Sequence, residues 1–246
     1  MGATSGIGKE VATLLAAQGW LVGIAGRREN LLVQIEKENE NIICHRRIDV
    51  NEEDAPGLLY QLIQSLGGMD MYVHSSGIGW QNTELETSRE LATVTTNCLG
   101  FTRMTDSAFN WLCDNADLKA KTGIHRHKTP DIVCITSIAG TKGLGAAPAY
   151  SAAKRFQRCY IEALAQLAEI RHTGIRILEV RPGFVNTDLI SNARYPMKMK
   201  TTYVARKIVN AINHGKSVVT IDWRYAALVA LWSMLPRCLW TRLRIK

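Results

Sequence analysis

The sequence predicts a single α/β domain built on a doubly wound parallel sheet, and three observations predict it. Six short apolar runs are each bounded by turn signals, longer segments of helical period separate them, and a glycine-rich loop runs straight into a helical pattern at the start of the chain. At 246 residues the chain suits one large domain of this kind, with no internal repeat and no low-complexity run.

The apolar runs come in the order 20–25 (WLVGIA), 42–44 (IIC), 69–73 (MDMYV), 132–135 (IVCI), 175–180 (IRILEV) and 217–221 (SVVTI), and each reads as a strand buried on both faces. The intervening segments read as helices. In the clearest, Phe156, Tyr160, Ala163, Leu164 and Leu167 recur at i, i+4, i+7, i+8 and i+11, which predicts one apolar face. In such a sheet ligands bind beyond the carboxyl ends of the strands, so the residues just after each strand are the ones to read for chemistry.

A formal charge of +8 and a pI near 9.3 raise the question of an anionic partner. The basic residues fall in small groups at Arg27-Arg28, Arg46-Arg47, 126–128 and the C-terminal tail, not in a stripe interleaved with aromatics, so nucleic acid is not expected. The six cysteines are dispersed without a C-x-x-C pair, and no signal peptide precedes the loop; the expected compartment is a reducing cytoplasm.

The opening loop, Gly2-Ala3-Thr4-Ser5-Gly6-Ile7-Gly8, has the composition that lets a backbone approach a pyrophosphate while the following helix points its free N–H groups at the charge. Past the first apolar run come Arg27 and Arg28, with no acid at the strand end. An acid there holds a ribose 2′-hydroxyl whereas an arginine accommodates a 2′-phosphate, so NADP(H) is favoured over NAD(H). Past the fourth run comes Ser137, and thirteen residues later Tyr150 and Lys154, whose spacing of four places them on one helix face. An ammonium near the phenol favours the phenolate and brings its pKa from about 10 towards the working pH, as proton transfer requires.

These residues together resemble the short-chain dehydrogenase/reductase family over almost the whole chain. Gly2 to Gly8, Thr4, Ser5 and Ile7 included, is similar to its cofactor loop, Asp49-Val50 to its adenine contact, Thr96-Asn97 to its active-site asparagine, and Ser137, Tyr150 and Lys154 to its catalytic centre. The segment Arg181-Pro182-Gly183-Phe184-Val185-Asn186-Thr187 resembles its nicotinamide segment. The resemblance implies a Rossmann-type fold and hydride transfer between nicotinamide and a carbonyl or alcohol carbon. It further implies that Tyr150 donates the proton, Ser137 hydrogen-bonds the same oxygen, Lys154 lowers the tyrosine pKa and binds the nicotinamide ribose, Asn97 holds a water that links Lys154 to solvent, and Thr187 fixes the carboxamide.

Three departures from the family pattern stand out. His74-Ser75-Ser76-Gly77 replaces the usual Asn-Asn-Ala-Gly; Ser76 and Gly77 are still expected to border the cofactor, and His74 to be a core or sheet-edge histidine. The spacing from Asn97 to Ser137 is longer than usual, with the excess in 114–130, an expected loop whose His125-x-His127 makes a poor metal site; no metal is expected. Lastly, Met1 stands where the family's first central strand should be ending, so the chain reads as lacking that strand.

Residues 1–222 are therefore expected to form the cofactor-binding and catalytic unit, and 223–246 an apolar, basic helical segment of the same domain. That segment is too short to span a bilayer. Its Trp and Leu residues with flanking Arg and Lys suit either an interfacial helix on an anionic membrane or a cover over the substrate cleft or an oligomer contact. Trp223, Tyr225, Leu228, Trp232 and Met234 point to a hydrophobic ketone or alcohol as substrate, with pocket walls from 79–84, 143–147 and 189–200. Helices at 89–113 and 150–172 match those that pair family members, so a homodimer or homotetramer is expected. Two alternatives remain at this point, a non-catalytic NADP-binding regulatory protein and a truncated, non-functional fragment.

Overall fold

The structure is a computed structural model that describes residues 1–115, 129–187 and 197–243. Its six described strands are β1 (Val22–Gly26), β2 (Ile42–Arg47), β3 (Met71–His74), β4 (Asp131–Ile135), β5 (Arg176–Arg181) and β6 (Val218–Thr220), one for each apolar run. Between and around them lie α1 (Gly6–Ala17), α2 (Glu29–Lys37), α3 (Ala55–Leu66), α4 (Thr87–Val94), α5 (Phe101–Asp114), α6 (Pro148–Ile170), α7 (Thr201–Asn213), α8 (Trp223–Met234) and α9 (Arg237–Trp240). A π turn (Thr95–Gly100) joins α4 to α5, and a 3-10 turn (Ile138–Thr141) follows β4.

Every strand pairing is parallel, with β1 beside β2 and the remaining strands in the order β3-β4-β5-β6. Alternate side chains leave opposite faces of a strand, and β4 shows both faces covered. Ile132 and Cys134 join Phe101, Met104 and Ile161 under α5 and α6, while Val133 and Ile135 join Val11, Leu15 and Ile208 under α1 and α7. This is the doubly wound Rossmann-type arrangement.

The sheet is divided between β1 and β3. Met1–Ala3 enter the gap at its carboxyl end, where the Met1 amino group donates to the Val73 carbonyl (2.9 Å), Ser75 N–H to the Met1 carbonyl (3.0 Å), and Gly2 and Ala3 N–H to the Ala25 carbonyl (2.8 and 3.0 Å). Behind them lies an apolar cavity of ≈ 110 Å³ whose lining includes Val11, Leu15, Gly23, Leu62, Met69 and Met71. The expected first central strand would fill this space; among the described residues nothing does.

One sequence expectation is shifted by the structure. The buried stripe of α6 is Ala153, Lys154, Gln157, Ile161, Leu164 and Ala168, which shares only Leu164 with the expected stripe of Phe156, Tyr160, Ala163, Leu164 and Leu167. Phe156 is 41% exposed and Tyr160 and Leu167 only half-buried. The inward face carries a lysine and a glutamine whose polar atoms are satisfied inside, so apolar periodicity alone selected the neighbouring stripe.

Candidate active site

The glycine-rich loop is tight. A Cβ built on Gly8 would lie 2.1 Å from the Gly2 carbonyl oxygen, and one on Gly2, whose φ is +80°, would lie 2.6 Å from Ser76 N. Only glycine lets the loop fold onto itself and against the Ser75-Ser76 backbone this closely. The first turn of α1 has no side-chain cap at Ser5 and no acidic residue, so its N–H groups and dipole are left for an anion. Arg28 crosses above, donating to Thr4 Oγ1 (2.8 and 3.2 Å) and Ser5 Oγ (2.7 Å), and Arg27 is exposed beside it. These residues fit a phosphorylated dinucleotide: the loop could cradle the pyrophosphate, and the guanidinium lies where β1 ends.

At the end of β4 the backbone stays extended through Ser137, whose φ is −173°. Ser137 Oγ accepts from Ala139 N–H (3.1 Å), which fixes the hydroxyl at the mouth of the following 3-10 turn. The first turn of α6 carries Tyr150, half-buried, after Pro148 at its start. One carboxylate steadies this turn: Glu90 on α4 accepts from Ala149 N–H (2.9 Å) and from Asn82 Nδ2 (2.7 Å). Asn82 N–H in turn donates to the Ala146 carbonyl (2.9 Å), so the 78–86 loop and the start of α6 are one unit.

Lys154 lies one turn on and is buried, with Nζ 5.7 Å from the centroid of the Tyr150 ring. Its Nζ donates to the Ile135 carbonyl (3.2 Å) and to Gln157 Oε1 (3.0 Å). Burial pushes its pKa down to about 8, chiefly by desolvation, while Cys134 and Cys98 act the other way. The group is a cation at neutral pH, and its field acts in a region poor in water.

Asn97 sits in the π turn and is fully buried. Its Oδ1 accepts from Ile78 N–H (2.9 Å), its Nδ2 donates to the Ile78 carbonyl (2.6 Å), and its own carbonyl accepts from Gln157 Nε2 (2.8 Å). Gln157 thus bridges Lys154 and the Asn97 carbonyl, the pair that the family resemblance links through a water. Gln157 was invisible to the sequence argument because a glutamine in a helix reads as surface. Gly77 completes this corner: a Cβ there would lie 3.2 Å from Asn97 Oδ1 and 3.6 Å from Lys154 Nζ.

The remaining predicted residues line the same edge. Thr187 lies against the loop, its Cγ2 3.2 Å from a Cβ position on Gly6. Val185 is buried and bridges to Met199, with Asn186 N–H donating to the Met199 carbonyl (2.9 Å), while Pro182 accepts from Ile138 N–H (3.1 Å). Gly183 rests on the ring of Tyr225. Asp49 Oδ1 accepts from Asn51 N–H (3.1 Å), and Val50 packs against Gly100. His74 is a core histidine, as expected: it is buried, 2.8 Å from the Tyr72 hydroxyl, and edge-on to Phe101. His125, His127 and most of the 189–200 wall lie outside the described residues, among which no metal-binding cluster occurs.

A family model described as short chain dehydrogenase matches residues 1–198. An uncharacterized oxidoreductase of Myxococcus xanthus is 28% identical over 243 residues, covering 96% of this chain and 90% of the relative. Two solved structures share the fold. A short chain dehydrogenase from Burkholderia cenocepacia in complex with NADP matches with a TM-score of 0.79 at 18% identity, over 100% of this chain and 96% of the other. A short chain dehydrogenase/reductase from Burkholderia phymatum in complex with NAD matches with a TM-score of 0.82 at 16% identity, over 100% and 94%.

Proposed function

The chain belongs to the short-chain dehydrogenase/reductase family, and from that premise we propose that it is an NADP(H)-preferring reductase of a hydrophobic ketone, or the corresponding alcohol dehydrogenase. One observation carries the reading: the buried Lys154 ammonium lies one helical turn from Tyr150 and donates to the Ile135 carbonyl at the end of β4, two residues before Ser137, on the same sheet edge as an α1 N-terminus left open for phosphate.

The nicotinamide, when bound, supplies or takes up the hydride. The chain's own residues do the rest. Tyr150 gives its phenolic proton to the carbonyl oxygen in reduction and takes it back in oxidation; Ser137 donates a hydrogen bond to the same oxygen; Lys154 stabilises the phenolate. Pro182, Gly183, Val185 and Thr187 form the wall for the nicotinamide, Asp49 and Val50 border the adenosine, and Ser76 and Gly77 border the cofactor, Gly77 beside Lys154. Arg28, held by Thr4 and Ser5, supports the preference for a 2′-phosphate.

Substrate class and partners follow from the apolar surface. Residues 1–222 form the catalytic unit in this reading, and α8 and α9 close one side of the cleft. Lys142 Nζ donates to the Leu235 carbonyl (2.6 Å), Trp240 Nε1 to the Gly143 carbonyl (2.7 Å), and Trp232 meets Trp240 edge-on, which puts aromatic surface beside the 3-10 turn after Ser137. The outward face of α8 is apolar as well, with Trp223 (78% exposed), Leu231 and Met234 next to Arg237 and Arg242. That face suits peripheral contact with an anionic membrane surface from the cytoplasmic side. No helix among the described residues is long and apolar enough to cross a membrane. Leu91, Leu99 and Phe156, exposed on the α4–α6 side, support pairing into a homodimer.

Two experiments test the reading. Fluorescence titration should show NADPH binding at least tenfold tighter than NADH, and equal affinities remove the cofactor preference. Turnover of hydrophobic ketones should be lost in Tyr150→Phe, and its survival removes the mechanism.

A further inference from the structure

Gln157 is fully buried three residues past Lys154, and both of its polar atoms are spent on the site. Oε1 accepts from Lys154 Nζ (3.0 Å), and Nε2 donates to the Asn97 carbonyl (2.8 Å), so the orientation of the amide is fixed by the π turn. The carbonyl that anchors the glutamine belongs to the π turn between α4 and α5.

Both described acceptors of Lys154 Nζ, Ile135 O and Gln157 Oε1, are neutral. The titratable groups that face it are Tyr150 on its own helix, His74 on β3, Cys134 on β4 and Cys98 in the π turn. Burial raises both thiols, with Cys134 pushed up to about 12, so neither contributes a negative charge at neutral pH. Among these neighbours the lysine charge is met by dipoles and not by a counter-ion, and its full field is left for the phenol.

We propose that Gln157 is a positioning residue for proton transfer: clamped by the Asn97 carbonyl, it holds the Lys154 ammonium beside Tyr150 with a neutral acceptor, so that the charge is placed without being cancelled. This rests on the roles proposed above for Tyr150 and Lys154. A carboxylate at 157 would hold the ammonium equally well but neutralise its effect on the phenol, and an apolar side chain would release it.

The test is the titration of Lys154 in the cofactor-free protein, followed by ¹³C NMR of the lysine Cε and assigned with Lys154→Arg, together with the pH dependence of kcat for alcohol oxidation. In Gln157→Met, Lys154 should titrate lower than in the wild type, and kcat should fall roughly ten- to a hundredfold, the size carried by one hydrogen bond to a buried charge, with KM changed less than about twofold. In Gln157→Glu, Lys154 should titrate higher and the acidic limb of the kcat profile should move to higher pH. Gln157→Asn, which keeps the amide but shortens its reach, should behave as a weaker Gln157→Met and serves if the other two lose their thermal transition. An unchanged Lys154 titration in the folded variants overturns the proposal. Tyr150→Phe separates the two levels: if it keeps turnover, the catalytic reading fails, whereas if it is inactive and the Gln157 variants titrate as wild type, only this inference fails.

Discussion

Gly79 lies flat against the ring of Tyr150, so close that a Cβ built on Gly79 would come within 2.3 Å of Tyr150 Cδ2. Gly79→Ala must therefore push the ring out of place while leaving the strands and α6 untouched. The expected result is a fall in kcat of about a hundredfold, the cost of displacing a reacting group by roughly 1 Å, with NADPH affinity within about twofold. Steady-state kinetics and a cofactor titration of the same variant check this, and wild-type turnover would mean that the ring moves freely in catalysis.

Arg28 donates three hydrogen bonds to Thr4 and Ser5 and sits at the end of β1. Arg28→Ala should weaken NADPH by roughly 10- to 100-fold, the range of one charge-assisted contact, and leave NADH nearly unchanged. Equal weakening of both cofactors would show that the arginine only braces the loop.

His74 is held neutral in the fold, its pKa lowered from 6.5 to about 3, first by desolvation and then by nearby positive charge, that of Lys154 included. Above pH 6.5 neither the folded nor the unfolded histidine is charged. As the pH falls towards 3 only the unfolded chain takes up the proton, so stability is lost across that window, by on the order of 4 kcal/mol at its acid end. Denaturant unfolding of His74→Asn, which keeps an acceptor for the Tyr72 hydroxyl, should show a shallower loss between pH 6.5 and 4.5 than the wild type. An equal slope would assign the acid sensitivity to other groups.

Tyr225 is fully buried under Gly183 and Phe184, and its hydroxyl donates to the Met197 carbonyl (3.1 Å). Tyr225→Ala should cost about 3–5 kcal/mol, as large cavities do, and Tyr225→Phe about 1 kcal/mol. Because the same ring supports the 183–187 segment, Tyr225→Ala should also weaken cofactor binding. Thermal unfolding with and without NADPH measures both.

The outward face of α8 offers Trp223, Leu231 and Met234 to solvent beside Arg237 and Arg242. Co-sedimentation with vesicles rich in phosphatidylserine should fall at least tenfold in the double variant Trp223→Asp, Met234→Asp, while ketone turnover in detergent-free buffer stays the same. Undiminished sedimentation would assign that face to another partner.

The strands were legible because a strand buried on both faces is a continuous apolar run, as in β4, and all six described strands overlap such runs, although β2 continues through His45-Arg46-Arg47 and is only partly buried. Ser137, Tyr150 and Lys154 were legible because strand ends and helical spacing fix where they go. The supports of those residues were not. Gln157, Glu90 and Asn82 are polar residues in helices and loops, and only tertiary contacts reveal that they are turned inward. The π turn at Thr95–Gly100 left no mark in the apolar pattern, since one extra residue per turn alters hydrogen bonding more than composition.

Arg27 and Arg28 follow β1 on the two-stranded sheet, while Lys154 lies against the end of β4 and Thr187 follows β5, on the four-stranded sheet. A dinucleotide held at both ends as proposed ties the two sheets together like a rivet, and the protection it gives grows with its concentration over its Kd.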